Sequence, residues 1–584
     1  MRIPMKVKRT LDEYPYDISF QVKDDIVFLK GEVKDHSEWV EIGLDIGKIY
    51  GVEGIVNDIG WEGKKEKDEQ NRKIKFEDNI NKRLGDHEIV IIGGGIIGCS
   101  IARELSKYKV DVSLVEKGPD VSLGQSRANN GMVHPGLSPS KSSLKRELNV
   151  KGNAVYDELC EELDVPFERV GSLILMTPRT LEKYKKYIPG PVYRFILKRV
   201  LPWFVKRKGE KNGLEGIEIL NGEEVKEEED AITDDVISAV KVPSTGIVDP
   251  YQYTIALYEN AVKNGVDFYL ETEVVGFNKD RNTVKQVVTD RGYLNCDHVI
   301  NAAGLYSDDV AEMAGAREYT IHPRKGVELL FNKRLKDSVN HCLAELKLPS
   351  HPTSKGGGIN PTVHGNIIWG PTAEEIEEKD DTSVEKEKIE EIKERYSTIM
   401  PDFPKNDFIR YFAGVRAASF TEDFIIRPAK WVKNFLHVAG IQSPGVASAP
   451  AVADYAIEQL KKMGVKLEKD EDFDGKRRSI DRAAEMNEDE LKRRIEEDER
   501  WGNIVCTCEM VSEAEIVEAI NRGARSFDAI KRRTRAGMGE CQESYCLLRI
   551  AEIISRELDI PLNEVKKEWD ESKYFDGNVR GEKG

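Results

Sequence analysis

Apolar positions along the chain change rhythm several times, and each rhythm predicts a different element. After Glu88, residues 89–92 are an unbroken apolar run of strand length. Glycines follow at 93, 94, 95 and 98, a helical pattern continues through residue 105, and a second strand pattern spans 110–115. Upstream, 18–22 and 26–33 alternate like strands, 38–50 has helical spacing and 52–59 returns to strand. Residues 61–86 are poor in apolar side chains and dense in charge, which predicts a linker. Strand and helix patterns then alternate to about residue 460, ending in a strand near 435–440 and an alanine-rich helix. Residues 461–503 are a second charged stretch with helical spacing near 488–499. A capping-box pattern at Ser512-Glu-Ala-Glu515 predicts a helix over 516–521. Gly356-Gly-Gly-Ile-Asn360 lacks a flanking strand and helix, so it predicts a hairpin turn. No apolar run approaches the roughly 18 residues of a membrane span.

These rhythms describe a multidomain chain of α/β and α+β class. Its expected parts are a small αβ module at 1–60, a linker at 61–86, and a long unit over 87–460 that opens as a Rossmann-type domain. A second linker at 461–503, a small helical domain at 504–560 and a tail at 561–584 complete it.

The glycine stretch carries the clearest chemistry. In Gly93-x-Gly95-x-x-Gly98, the first glycine permits a tight turn and the second lets backbone approach a pyrophosphate. The third lets the helix pack on the strand, with its N-terminus toward the phosphates. Glu116 ends the second strand, 23 residues after Gly93, where a carboxylate accepts from a ribose diol and repels a 2′-phosphate. Ile97 and Lys117 flank these positions. The following loop, 123–137, holds Ser126, Asn129, Asn130, Gly131, His134 and Gly136, small and polar groups suited to a flat ligand. Together these motifs resemble FAD-dependent oxidoreductases of the D-amino-acid oxidase superfamily, in particular the glycerol-3-phosphate and L-2-hydroxyglutarate dehydrogenase branch. That branch usually has Asn-Ser-Gly where this chain has Asn129-Asn130-Gly131.

The resemblance extends over about 370 residues and implies, over 87–460, a Rossmann-type FAD-binding domain interleaved with a mixed-sheet substrate domain, with further roles for its residues. Val275 lies on the strand whose backbone meets the adenine. Ala303 and Gly304, in Asn301-Ala-Ala-Gly, return to the FAD, and Gly440, Gln442 and Gly445 form the last FAD-binding motif. The motifs at 321–326, 360–371 and 412–417 are expected around the substrate. Arg416 has the fork geometry to clamp a carboxylate or phosphate, with Arg324 and Lys325 as further candidates. Removing a hydroxyl proton calls for a base with a pKa near neutrality. Of nine histidines, His364 is the first choice and His134 the second; for each, a purely structural histidine is the competing reading.

Composition narrows the setting. A net charge of −17 over 584 residues, with pI near 5.3, argues against nucleic acid as a partner. The first residues, Met1-Arg-Ile-Pro-Met-Lys-Val-Lys, lack the apolar core of a signal peptide, so a cytoplasmic location is expected. Cys99, Cys160, Cys296 and Cys342 are scattered in apolar patterns and read as buried thiols. Cys506, Cys508, Cys541 and Cys546 cluster as C-x-C, 32 residues, C-x4-C, and Cys541 is expected to begin a helix. In a reducing compartment four such thiols mean a metal site, with zinc as the competitor. The pattern resembles the [2Fe–2S] domain of bacterioferritin-associated ferredoxin, and thiolate ligation suits a one-electron carrier. The basic run Lys531-Arg-Arg-Thr-Arg535 reads foremost as a solvated face, with offsetting cluster charge or docking an acidic partner as the alternatives. Gly31-Glu-Val33 and Gly51-Val-Glu-Gly-Ile-Val-Asn57 resemble the strands of a BON domain, a family linked to membranes or ligand binding; a docking appendage is the plainer reading.

The expected reaction is oxidation of a small anionic secondary alcohol, foremost glycerol 3-phosphate. Hydride goes to FAD, and electrons leave singly through the cluster to a second flavoprotein or other acceptor subunit. L-2-hydroxyglutarate or another 2-hydroxy acid is the alternative substrate, followed by an amine or amino acid. A redox sensor or electron-transfer scaffold is the alternative of another class.

Overall fold

A computed structural model describes residues 2–64, 69–137, 143–348 and 357–575. Its nucleotide-binding sheet has Asp267–Tyr269, Val112–Val115, Arg83–Ile92, Gly292–Asn301 and Phe435–Ala439 side by side and parallel. Thr283–Thr289 and Val274–Asp280 extend it as an antiparallel meander. Every residue of Val112–Val115 and Phe435–Ala439 is buried, as expected of parallel strands covered on both faces. Helices Ile96–Leu105, Pro250–Lys263 and Gly445–Lys462 pack together in the core on one face, and Ser307–Ala314 lies with the core on the other. Helical crossovers between parallel strands place a ligand crevice at the strands' carboxyl ends.

The second sheet is mixed. In order it comprises Glu374–Glu375, Ile321–Phe331, Ile367–Gly370, Gly358–Pro361, Cys342–Glu345, Ser172–Met176, Ser238–Val242 and Glu218–Asn221. Phe408–Ser419 pairs antiparallel along Ile321–Phe331, so the motifs of residues 321–326 and 412–417 face each other across one ladder. Gly358 opens a strand paired with Ile367–Gly370, and the reversal falls between them at 362–366. The glycines at 357 and 358 therefore lead into the hairpin rather than forming its turn, while Gly356 lies outside the described residues.

The N-terminal residues form helix Ile3–Leu11, strands Ser19–Lys23 and Ile26–Val33, helix His36–Gly47 and strand Gly54–Trp61. The first helix is not apparent in the sequence pattern; Val7 and Leu11 are its buried contacts. The module is packed onto the body so closely that glycine is needed at three positions. A Cβ at Gly43 would strike the Phe420 ring, one at Gly47 the Phe420 carbonyl oxygen, and one at Gly54 the Glu318 carbonyl oxygen. Asn57 N donates to Thr320 Oγ1 at 3.0 Å, and Arg317 pairs with Asp58 at 2.8 Å.

The described parts of both charged stretches are more ordered than their composition suggests. Within 61–86, helix Glu69–Asn79 packs Phe76 over Gly276, and Lys75 pairs with Glu273 at 2.9 Å. Within 461–503, Glu468 and Asp470 make backbone bonds of 2.8 Å with Lys109 and Lys107, Arg477 bonds Glu259 at 2.6 Å, and Glu488–Glu497 is helical. Their charges find partners on the body, which composition alone cannot register.

The C-terminal unit has a hairpin, Ile504–Cys506 with Val511–Ser512, and helices Glu513–Asn521, Phe527–Thr534 and Leu547–Leu558. The capping box at Ser512 and Glu515 is formed. The last helix starts one turn later than expected: Cys546 is its N-cap and Cys541 lies in the turns before it. Residues 561–575 are not a loose tail, since Val565 and Glu568 are buried. Among the described residues no helix is long and apolar enough to cross a membrane.

Phe420 is buried between the body and the Trp39 ring, 5.1 Å away between centroids. Phe420→Ala is expected to cost about 3–5 kcal/mol by leaving a cavity at this seam. Limited proteolysis should then release the N-terminal module, read by mass spectrometry, while the wild-type seam resists.

Candidate active site

A cavity of about 930 Å³ opens where the two sheets and the C-terminal unit meet. Gly93, Gly95, Ile97, Glu116, Lys117, Ser126, Asn129, Asn130, Ala303 and Gly304 all line it. At Gly93 (φ +111°) a Cβ would lie 2.5 Å from the Ala302 carbonyl oxygen, and at Gly98 it would collide with Gly93 O. The turn and the helix contact therefore both require glycine. At Gly304 (φ +55°) no protein atom lies within 4 Å of where a Cβ would stand, so its bare backbone faces open space. Gly95 caps helix Ile96–Leu105, and Ser126 Oγ accepts from Ile96 N at 2.9 Å. Glu116 accepts from Gly94 N at 2.6 Å and Gly118 N at 2.8 Å; burial raises its pKa. A helix N-terminus, a glycine cradle and a carboxylate on one wall fit the phosphates and ribose of a dinucleotide.

The other predicted contacts are less direct. Asn129 braces its own loop through Gln125 O, Ser126 O and Gly131 N, and Asn130 accepts from Met132 N. Gly98, Gly131, Val275, Gly440, Gln442 and Gly445 are outside the lining. Gly131 makes room for Val248 O, and Gln442 lies between Arg324 and Glu422, at 3.2 and 2.8 Å. Ile441 lines the cavity in place of its neighbours.

At the substrate end, Thr362, His364, Asn366, Arg410 and Phe412 line the wall. His364 Nε2 lies 2.9 Å from Asp249 Oδ2, and Asp249 also caps helix Pro250–Lys263. Burial, then the nearby Arg535 charge, lowers the His364 pKa against the pull of Asp249. With Nε2 donating to the carboxylate, Nδ1 carries the free lone pair of a neutral base. His134 does not line the cavity; its Nε2 is 3.5 Å from Ser443 Oγ. Arg416 and Lys325 are also absent from the wall. Arg416 lies over Gly326 and donates to Thr372 O at 3.3 Å, while Glu328 beside it is pushed up to about 8 by burial. Lys325 is held by Asp381 at 2.9 Å and Glu385 at 3.2 Å, and Arg324 by Glu375 and Glu422.

The C-terminal unit closes the cavity with Lys531, Arg532, Arg535, Met538, Gln542 and Trp569. Its basic run is buried, contrary to the solvated face expected. Arg533 binds Asp120 at 2.6 and 3.0 Å, Arg532 reaches Asp120 at 3.1 Å and Glu568 at 2.5 Å, and Arg127 meets Glu568 at 2.6 Å. Arg535 bonds Glu509 at 2.9 Å and Tyr251 Oη at 3.3 Å. The four thiols form two neighbouring pairs, Cys506 with Cys546 and Cys508 with Cys541. Among the described residues no three of them gather within 4.8 Å of one another, whereas tetrahedral zinc needs all four within about 3.8 Å. Two pairs suit a two-iron cluster with two thiolates per iron. Gly537 N donates to Cys506 Sγ at 3.5 Å.

Residues 88–459 match the family described as FAD dependent oxidoreductase. The chain belongs to that family. Residues 504–556 match the BFD-like [2Fe-2S] binding domain, so this oxidoreductase carries FAD and a [2Fe–2S] cluster. It is 40% identical over 497 residues to the glycerol 3-phosphate dehydrogenase of Caloramator mitchellensis, covering 85% of this chain and 99% of that one. It is 26% identical over 532 residues to the anaerobic glycerol-3-phosphate dehydrogenase subunit A1 of Haloferax volcanii, covering 81% and 83%. Among solved structures, the dithionite-reduced L-alpha-glycerophosphate oxidase of Mycoplasma pneumoniae with FAD bound matches with TM-score 0.60 and 27% identity, over 68% of this chain and 99% of that one.

Sequence reasoning missed Asp249, Tyr251, Arg410 and the cavity role of residues 531–542 in this oxidoreductase. Asp249-Pro250 is readable as a helix start, but nothing local points either residue at His364. Asp120→Asn should cost about 3–5 kcal/mol at neutral pH, because the buried Arg533 guanidinium loses its charge partner and Arg532 loses one of its two. The arginines lower the Asp120 pKa, so its contribution is complete above the ordinary carboxylate range and lost as pH falls through the depressed value. Denaturation midpoints of the wild type and the variant, well apart at pH 7, should therefore converge in acid, below about pH 4. Cys508→Ser should abolish the iron–sulfur absorbance and leave flavin content unchanged.

Proposed function

We propose that this oxidoreductase oxidises the secondary alcohol of glycerol 3-phosphate and sends the electrons through its cluster to a partner subunit. The observation that carries this reading is one cavity wall holding both a carboxylate-oriented imidazole and a pair of neighbouring cations. Lys531, from the C-terminal unit, has its pKa lowered first by burial and next by the charge of Arg410, from the substrate sheet. Arg410 meets a neutral partner, Gln542 Oε1, at 3.1 Å. Among the described residues Lys531 has Glu543, at 3.2 Å, and the charge of Asp528 to set against its own charge and that of Arg410. A dianionic phosphate relieves the repulsion between them and gains charge-assisted hydrogen bonds. The name and coverage of the Caloramator relative support the same substrate.

Gly93, Gly95, Ile97, Glu116 and the 125–130 loop would hold FAD, which would supply the acceptor for the carbinol hydride. His364 Nδ1 takes the hydroxyl proton, and Asp249 keeps the ring's other nitrogen protonated and oriented. Arg410 and Lys531 hold the phosphate, which fixes the carbinol carbon relative to the imidazole. Arg535 keeps the imidazole neutral by disfavouring a second positive charge. Met538 and Gln542 close the wall against water, on the same loop that carries Cys541. The Haloferax relative, named as a subunit, supports an acceptor on another chain.

Anaerobic titration is expected to bleach the flavin with glycerol 3-phosphate at concentrations where L-2-hydroxyglutarate, glycerol and amino acids leave it oxidised. Bleaching by a 2-hydroxy acid in preference overturns the substrate assignment. Arg410→Gln should raise KM roughly 10- to 100-fold with a smaller change in kcat. His364→Asn should lower kcat roughly 10²- to 10⁴-fold. Because the His364 pKa is lowered, kcat/KM should reach its plateau below the usual histidine range. In Arg535→Gln the repulsion is gone, the pKa rises, and the acidic limb moves to higher pH.

A further inference from the structure

Residues 182–211 stand outside the walls of the active site. They connect strand Ser172–Met176 to the edge strand Glu218–Asn221 of the substrate sheet. A short turn, Glu182–Tyr187, precedes a helical run through Gly190–Phe195, Ile196–Val200 and Leu201–Lys211. One side of the run, with Tyr193 and Leu197, packs on Met176, Leu214, Val240 and Val242. The other side is unlike the rest of the surface. Of seventeen exposed large hydrophobic residues described, six fall here: Tyr184, Tyr187, Val192, Phe195, Trp203 and Phe204. Tyr187 is 72% exposed, Phe195 60%, Trp203 46% and Phe204 57%.

Charge is just as uneven. Between 182 and 211 there are ten Lys and Arg against two Glu, a net of +8 in a chain whose total is −17. The cations are interleaved with the rings: Arg207 lies 5.0 Å from the Trp203 centroid and Lys186 4.8 Å from that of Tyr187. Val192, Phe195, Arg199, Trp203 and Arg207 recur at spacings of three and four, so apolar and cationic groups share one exposed face. Aromatic rings at headgroup depth, with long basic side chains reaching the phosphates, are what an interfacial amphipathic helix presents to a membrane.

We propose that this face docks the oxidoreductase on an anionic phospholipid bilayer. The excess of cations on an otherwise acidic protein supplies the electrostatic part, at the scale of one Lys or Arg per anionic headgroup region. The rings supply the part that salt does not screen. A folded protein partner needs a broad complementary surface, whereas a single helical run of exposed rings and cations suits a fluid interface that moulds around it. The proposal is independent of the substrate assignment, because no residue of the face lines the cavity.

The test is co-sedimentation of the full-length holoprotein with vesicles of phosphatidylcholine alone and of phosphatidylcholine with about one-third phosphatidylglycerol. The protein should sediment with the anionic vesicles at low salt, remain free with the neutral ones, and be released in large part near 0.5 M NaCl. Lys206→Gln with Arg207→Gln should weaken partitioning roughly 30-fold. Trp203→Ser with Phe204→Ser should weaken it on the order of tenfold or more at constant charge. Turnover with a soluble dye and flavin absorbance should be unchanged in both doubles, which confirms their folding. Equal sedimentation of wild type and both doubles, or no sedimentation with anionic vesicles at low salt, overturns the proposal. So does retention of the wild type by an acidic protein column when anionic vesicles fail to bind it.

Discussion

Asp120 is buried between two guanidiniums, and much of the molecule follows from having to satisfy it. A carboxylate out of water is tolerated only where paired and hydrogen-bonded, and Arg533 and Arg532 do both. Arg532 also holds Glu568, and Glu568 holds Arg127 on the flavin loop. The chain of charges runs from the nucleotide-binding domain into the C-terminal unit, back through residue 568 and into the loop after Glu116. Separating the two units would strand at least one of these ions in a poor environment. Docking is thus enforced by the cost of the alternatives more than by the strength of any one pair. This is also what makes Lys531, Arg535, Met538 and Gln542 dependable parts of the cavity wall.

The same balance of charge distinguishes structural cations from available ones. Lys325, Arg324, Lys379, Arg532, Arg533 and Arg535 each have carboxylates within bonding distance. Their charges are balanced before any ligand arrives, and an anion near them gains little. Arg410 differs in meeting a neutral partner, Gln542, and Lys531 in having its charge disfavoured by burial and by Arg410 in spite of Glu543. Outside the cavity, the 182–211 face is another place where positive charge gathers beyond its local carboxylates, and there it is mixed with aromatic rings.

What the sequence disclosed follows from the range of the forces involved. The Gly93–Gly98 turn was legible because its demands are local: a positive φ, a close helix contact, an acid at a set distance. The four cysteines were legible because thiolates clustered in a reducing compartment have few other uses. Pairings across domains were not legible. Lys531 to Arg535 read as a solvated run because its partners, Asp120, Glu509 and Glu568, lie on other segments. The charged stretches at 61–86 and 461–503 read as linkers for the same reason. Arg416 and Arg410 lie six residues apart on one strand, with a register shift at Leu330/Phe331 opposite Arg410. Which of them faces the cavity depends on where the C-terminal unit closes it, and no strand pattern contains that information.

The closure also bears on why an electron carrier shares a chain with the flavin site. Cys541 lies between two wall residues, Met538 and Gln542. Met538 Sδ accepts from Tyr251 Oη at 3.2 Å, two residues from the aspartate that orients His364, and Gln542 accepts from Arg410. Under the proposed substrate assignment, an anion held by Arg410 would lie against Gln542, the residue next to a cluster ligand. The thiolates themselves are tuned by backbone, as at Gly537 N to Cys506 Sγ, and such bonds set an iron–sulfur potential. One loop is thus at once cavity wall and ligand carrier, an arrangement that a separate, freely diffusing carrier would have to rebuild at every encounter.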